Sequence, residues 1–204
     1  MPTRSRLTPS LLAALLLAVL LGGCATPQLA PSPSLSHPDA PRTLIRLLSF
    51  ERGDARHPPE RLIAVIRLAP EGLRVAVTSP SGQRLMTLIH DDQGARFEDT
   101  LAPPPFPAAW LAQRLEWGLW PSEALTRGFE GSRWRLVETG RAHHGGRRDI
   151  YHGSRLIARV DYGFAGTRGD DDHVRLDDRE AGYVLNISPL DAAGAKEKID
   201  DPIE

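Results

Sequence analysis

One thiol, seven histidines and a few carboxylate pairs are the groups in these 204 residues whose types and spacing could do chemistry. Cys24 is the only cysteine and closes the string Leu21-Gly22-Gly23-Cys24 behind the apolar run from Leu11 to Leu21. A single thiol makes no disulfide within its own chain, and its native chemistry is nucleophilic. His143-His144 stands beside Gly145-Gly146-Arg147-Arg148, and Asp170-Asp171-Asp172 precedes His173, with His152 between. Zinc needs about four ligands in a fixed tetrahedron. No His-x-x-x-His or His-Glu-x-x-His occurs, and the aspartates lack the alternating spacing of a calcium loop. These groups read as solvated loops, so no metal and no cofactor is expected. Ser79-Pro80-Ser81-Gly82 is a turn string and not the Gly-x-Ser-x-Gly of a nucleophile elbow. No glycine-rich phosphate loop is present, and Asp91-Asp92 and Asp177-Asp178 read as solvated strand ends. An enzyme is not expected.

The elements that must position any site begin after the first apolar run. Arg4 and Arg6, a short apolar stretch and small residues before Cys24 form a secretory signal peptide over residues 1–23. The run is short against the roughly 20 apolar residues of a spanning helix. The segment holds two of the 25 basic residues and none of the 26 acidic ones, so the remaining 181 residues carry a formal charge of −3. Such a balance gives no global attraction for nucleic acid. A chain of that size buries a real core as one domain. Eighteen Pro and eighteen Gly disfavour a helical bundle and favour short strands with many turns.

Residues 24–42 are rich in Pro and Ser and read as an extended tether. The domain follows over residues 43–190. Thr43 to Phe50 is strand or short helix, and Arg61 to Leu68 is a strand. Leu73, Val75 and Val77 alternate with polar or small residues, and Arg84 to His90 returns after the turn at Ser79–Gly82. Ala95 to Asp99 is a further short strand. Beyond Pro103-Pro104-Pro105-Phe106-Pro107, the residues Trp110, Leu111, Leu115 and Leu119 recur at helical spacing, with Gln113, Arg114 and Glu116 between them. Trp120-Pro121 ends that helix. Ser122 is the expected N-cap of a second helix through Arg127, stopped by Gly128. Strands resume at Trp134–Glu138, Arg148–His152, Leu156–Tyr162, Val174–Leu176 and Tyr183–Ile187, with Leu156, Ala158, Val160 and Tyr162 on one face. Residues 191–204 read as a loose tail. Strands, a helical insertion and more strands give an α+β fold, an antiparallel sheet that curls with helices over its open side. Leu73, Val75, Val77, Leu85 and Tyr183 on the sheet, with Trp110, Trp117 and Trp120 from the helical region, are the candidate lining of an apolar cavity. The same pattern also fits a filled core, and periodicity does not separate the two. Arg61, Arg67, Arg74 and Arg84 fit either a ring that meets an anionic head group or a solvated face.

Leu21-Gly22-Gly23-Cys24 resembles the lipobox of bacterial lipoproteins. That resemblance implies cleavage before Cys24 and acyl chains, palmitate among them, on the cysteine. Ala25, where an Asp would favour inner-membrane retention, implies the outer membrane with the domain facing the periplasm. Leu73 to Gly82 is similar to a strand and turn of the outer-membrane lipoprotein receptor of the Lol sorting pathway, with Ser81 at the position that is apolar there. Gly118-Leu-Trp-Pro121, Ile157-Ala-Arg-Val-Asp-Tyr162 and Gly182-Tyr-Val-Leu-Asn-Ile187 resemble a family of uncharacterised bacterial lipoproteins often encoded beside aryl-polyene synthesis genes. The resemblance spans roughly residues 43–190. It implies a half-open β-barrel with a helical lid, as in lipoprotein carriers and receptors. It also implies a hydrophobic ligand such as an acyl or aryl-polyene lipid, and a periplasmic carrier protein or exporter as partner. The alternative is a non-catalytic accessory lipoprotein of an envelope complex with a filled core.

Overall fold

Apolar residues at every second position give a strand one dry face, and the strand Gly72–Thr78, with Leu73, Val75 and Val77 buried, shows the pattern plainly. The computed structural model describes residues 29–33, 41–52, 59–101, 103–140, 145–163 and 173–190. Its strands are β1 (Arg42–Arg52), β2 (Glu60–Ala69), β3 (Gly72–Thr78), β4 (Arg84–Asp91) and β5 (Gly94–Glu98), then β6 (Trp134–Thr139), β7 (Arg147–His152), β8 (Arg155–Tyr162), β9 (Val174–Asp178) and β10 (Tyr183–Pro189). Two helices, α1 (Ala108–Leu119) and α2 (Ser122–Phe129), separate the two strand runs. All ten strands form one antiparallel sheet in the order β5-β4-β3-β2-β1-β10-β9-β8-β7-β6. Two meanders are thus joined through β1 and β10. The edge strands β5 and β6 do not pair, so the sheet stays open.

The helices link those two edges, and this forces the sheet to curl. Laid flat, ten strands at about 4.8 Å would put β5 and β6 roughly 43 Å apart. A twelve-residue helix is only about 18 Å long. Yet α1 packs on β4 and β5 near one edge and on β9 beyond the middle, while α2 packs on β6 at the other edge. The result is a half-open barrel whose concave side holds α1. Leu48, Ile66, Leu73, Val75 and Leu88 from one half and Ile150, Val160, Leu176 and Ile187 from the other close around it. Gly72 serves the hairpin between β2 and β3. Its φ is +137°, and a Cβ there would lie 2.2 Å from the His90 carbonyl oxygen, so only glycine fits.

Several local readings change. Thr43 to Phe50 is strand throughout. Ser122 is the first helical residue of α2 rather than its cap; Pro121 precedes it, and the Ser122 hydroxyl instead donates to Glu138 Oε2 at 2.6 Å. Pro at the cap lacks a side-chain acceptor, so the helix start is set by proline's fixed φ. Gly128 lies inside α2, which runs on through Phe129 because that ring is buried in the core. In β8 the pairing slips opposite Ile150 and Tyr151, so Ile157 and Ala158 are both buried and Leu156 only half so. A bulge breaks the strict alternation.

Part of the span read as an extended tether is docked on the domain. Ala30 and Pro33 are buried, Gln113 Nε2 donates to the Ala30 carbonyl at 2.8 Å, and Ser32 Oγ approaches His90 Nε2 at 3.4 Å. The lack of a side chain at Gly128 lets this strap pass, since a Cβ would meet the Ser32 carbonyl oxygen at 2.9 Å. Residues 1–23, read as a signal peptide, and Cys24, His143-His144, Asp170-Asp171-Asp172 and the residues from 191 on lie outside the described residues.

Candidate functional site

Two regions stand out on the concave side. The first is apolar. Leu48 and Phe50 of β1, Leu62 of β2, Val77 of β3, Leu85 and Met86 of β4, Phe97 of β5 and Leu111 of α1 surround a cleft of about 40 Å³ under Pro104, Pro105 and Phe106. Phe106 fills its roof. The ring stacks on Trp110 at 4.4 Å and on Phe50 at 5.6 Å, and meets the edge of Tyr183 at 4.8 Å. Proline at three positions before the ring and one after fixes φ at four positions of this roof.

A ligand pocket spans roughly 300–1,000 Å³. At about 40 Å³ this cleft admits a lipid chain only if the roof lifts. Val77 and Leu85 line it, whereas Trp110 and Tyr183 reach it through Phe106. Leu73 and Val75 are buried on the same face of β3 but away from the cleft. Trp117 and Trp120 are buried at the far end of α1, where Trp117 packs on Trp134 at 5.9 Å. That end of the helix is pinned. Arg148 donates to the carbonyls of Trp117 at 3.0 Å and Trp120 at 2.7 Å, and the Tyr162 hydroxyl donates to the Gly118 carbonyl at 3.1 Å. These bonds satisfy carbonyls that a helix end otherwise leaves bare. The proline end of α1, where the roof joins it, is the end without such side-chain bonds.

The second region is a buried polar chain on α1. Gln113, Arg114 and Glu116 sit between the apolar positions in sequence, yet all three are buried, because the sheet and the strap cover every side of the helix. Each reaches a different element. Gln113 holds the strap. Arg114 donates to Asp178 Oδ2 on β9 at 2.6 Å and to Gln113 Oε1 at 2.7 Å, with its guanidinium between the rings of Trp110 and Trp117. Asp178 in turn accepts from the amides of Glu180 and Ala181 in the following turn. Glu116 accepts from His90 Nδ1 on β4 at 2.5 Å. Two sets of bonds therefore leave the strap, one from Ala30 through Gln113 and Arg114 to Asp178 on β9, the other from Ser32 through His90 on β4 to Glu116. Sequence spacing missed both. The signal was present: apolar residues at 110, 111, 112, 115, 117 and 118 surround the helix, the mark of a helix buried on all sides.

Ser32, His90 and Glu116 stand in the order hydroxyl, imidazole, carboxylate. The Ser32 contact is at the outer limit of a hydrogen bond. It holds an extended segment between Pro31 and Pro33, so its evident work is docking. Burial pushes the Glu116 carboxyl up, against the bond from His90. The Glu116 hydrogen bond raises His90, against its own burial. Both shifts mean that the folded pair binds its proton more firmly than the unfolded chain does. A raised folded value contributes stability that is complete below the unfolded value and is lost as pH rises through the folded one. The urea midpoint is therefore expected to fall as pH rises from about 6.5 through the raised His90 value. His90→Asn should flatten that slope; an unchanged slope in this variant would refute the assignment. Asp91, the other charged neighbour of His90, is lowered mainly by Arg96 and does not titrate in this window.

Among the described residues no three His, Cys, Asp or Glu side chains converge on a metal position, and no helix is long and apolar enough to cross a membrane. His152 is stacked on Trp134 at 4.9 Å. Beside His90 a wider cleft of about 240 Å³ opens between Arg67, Gly72, Arg74 and Asp91.

Comparison with known proteins adds three findings. A family model described as "Protein of unknown function (DUF3261)" matches residues 44–191. No curated protein matches the sequence. Among solved structures the chain is similar to the crystal structure of a LolA superfamily protein from Nitrosomonas europaea, at 13% identity and a TM-score of 0.43, over 78% of this chain and 87% of that one.

Proposed function

The chain belongs to the DUF3261 family, and from that premise we propose that it is a non-catalytic, membrane-anchored lipoprotein that binds a hydrophobic, lipid-like ligand. In this reading Cys24 carries the acyl chains and the domain faces the periplasm from the outer membrane. The observation that carries the binding role is the cleft under Phe106, apolar on every side except Glu60 at its rim. An acyl or polyene chain enters as the proline segment lifts away from β1, β4 and β5, while the pinned end of α1 stays in place. Burial of each methylene contributes about 0.8 kcal/mol, so a chain of ordinary length offsets the lost stacking of one ring. Transfer to or from a periplasmic carrier or exporter then follows the difference in affinity between the two proteins.

A second reading has its own observation. Helix α1 already occupies the concave side and is buried on all faces, as a filled core in an accessory envelope lipoprotein requires.

The test is native mass spectrometry of the mature protein isolated without detergent, followed by uptake of a fluorescent palmitate probe. A stoichiometric co-purifying lipid or polyene, and probe binding weakened at least tenfold by Leu85→Arg at the cleft mouth, supports the binding role. A clean mass with no uptake leaves the accessory reading. The mass at Cys24 reports the anchor separately.

A further inference from the structure

The convex face of the sheet is divided in charge. On the second half Arg159 and Arg147 are neutralised in place by carboxylates, and Arg175 is held by a neutral amide. Arg159 meets Asp149 at 2.7 Å, Arg147 meets Asp161 at 2.6 Å, and Arg175 meets Asn186, which itself donates to Glu51. The first half differs. Arg67 and Arg74 stand directly opposite each other in the β2–β3 register, an arrangement that costs stability between like charges. Arg67 has only an exposed contact to Glu71 at 3.3 Å. Arg61, Arg74 and Arg84 form no ion pair among the described residues and are exposed.

Between these arginines lies an apolar stripe. Ile45 pairs with Val65, and Val65 with Ala76. Ile45 is 51% exposed and Val65 40%. Leu190, one residue past the Arg46–Pro189 pair, falls in register beside Ile45 and is also exposed. Leu47 and Ile63 form a second, half-buried apolar pair on the same face. Aliphatic side chains flanked by exposed arginines, of which Arg61, Arg74 and Arg84 form no ion pair among the described residues, match an anionic bilayer surface, whose negative potential attracts each nearby arginine.

The strap gives a second, independent reason. Ser32 meets His90, and His90 shares its cleft with Arg67 and Arg74, and with Glu71, Asp91 and Asp92 as well. Five chain steps separate Leu29 from Cys24, which is at most about 18 Å. An anchor at Cys24 thus brings the arginine end of the sheet to the bilayer, where a free tether would leave the domain unoriented.

We infer that the convex face of β1–β3 is a docking surface for anionic phospholipid, with Ile45 and Val65 as its apolar contact and Arg67 and Arg74 as its charge contact. The orientation argument rests on the acylated Cys24 proposed above; the surface itself does not. The test is flotation of the chain from residue 24 onward, carrying Cys24→Ser so that no acyl chain contributes. Vesicles are phosphatidylethanolamine with phosphatidylglycerol, against pure phosphatidylcholine. Binding is expected with the anionic vesicles, weak with the zwitterionic ones and reduced by salt. Arg67→Gln with Arg74→Gln should lower the binding constant about tenfold or more, and Ile45→Ser with Val65→Ser should lower it further. All four side chains are exposed, and an unchanged urea midpoint verifies the fold. No flotation with anionic vesicles overturns the inference, as does binding that the variants leave intact; the face then belongs to a protein partner. Failure of acylation, read from the mass at Cys24, leaves the flotation result standing.

Discussion

Arg114→Leu is expected to lower the stability of the domain by about 3–5 kcal/mol, the cost of removing one partner from a buried ion pair. Arg114 and Asp178 are both fully buried at 2.6 Å. The substitution leaves the Asp178 carboxylate with only the two turn amides, and it frees Gln113 Oε1 from its donor. Two tryptophan faces also lose the cation between them. The pair is not ideal in the native protein. Arg114 Nη2 has no hydrogen-bond partner, and Glu180 Oε2, 3.9 Å away, has none either. The double replacement Arg114→Leu with Asp178→Leu should therefore recover part of the loss, because it removes both buried charges. Urea midpoints of the two single variants and the double variant form the cycle. A loss below about 1 kcal/mol in the single variant would mean that water reaches the pair and that α1 is less firmly seated than its burial indicates.

Phe106→Ala is expected to raise the rate of palmitate-probe uptake about tenfold, equivalent to about 1.4 kcal/mol off the barrier. Phe106 is the ring that joins the roof to Phe50, Trp110 and Tyr183. Its removal enlarges the cleft and releases the proline segment from three aromatic contacts. A stability cost of about 2–3 kcal/mol accompanies it, the lower end for a large-to-small change because the ring is only half-buried. Stopped-flow fluorescence separates rate from affinity, and the urea midpoint verifies folding. Uptake that stays unchanged in a folded Phe106→Ala protein would remove the roof from the mechanism and favour the filled-core reading.

Most of the architecture was legible because strands and the principal helix announce themselves by period. Leu73, Val75 and Val77 alternate, and they form one face of β3. Trp110, Leu111 and Leu115 recur at helical spacing within α1. The layout of strands, helices and strands implied a curled sheet with helices on its open side, and the ten-stranded open sheet has that form. The errors were local. Ser122 carries the right side chain for a cap, but Pro121 already sets the helix start. A single bulge moved Ile157 into the core. Neither follows from a short string, because both depend on a neighbour's backbone.

The candidate site was legible only in part. Val77 and Leu85 were accessible to reasoning from alternation, and Trp110 from its helical position. Phe106 looked like a residue in a proline breaker, and nothing in its string says that its ring meets Phe50, 56 positions earlier. In the sequence His90 is only the end of the return strand. Its partner Glu116 lies on another element, so the pair exists only after the sheet has curled.

By itself the sequence determined the strand and helix content, the apolar inner face and the single thiol at Cys24, because each depends on residue type and local period. Tertiary structure decided what surrounds α1. A helix with Gln113, Arg114 and Glu116 can rest on a flat sheet with those groups in water. Here the strands that flank the helical pair in the chain, β5 and β6, are the opposite edges of one sheet. Closing that gap wraps ten strands around the helix. Burial of three polar side chains, the bonds that tie them to the strap and the sheet, and the small cleft under Phe106 all follow from that closure.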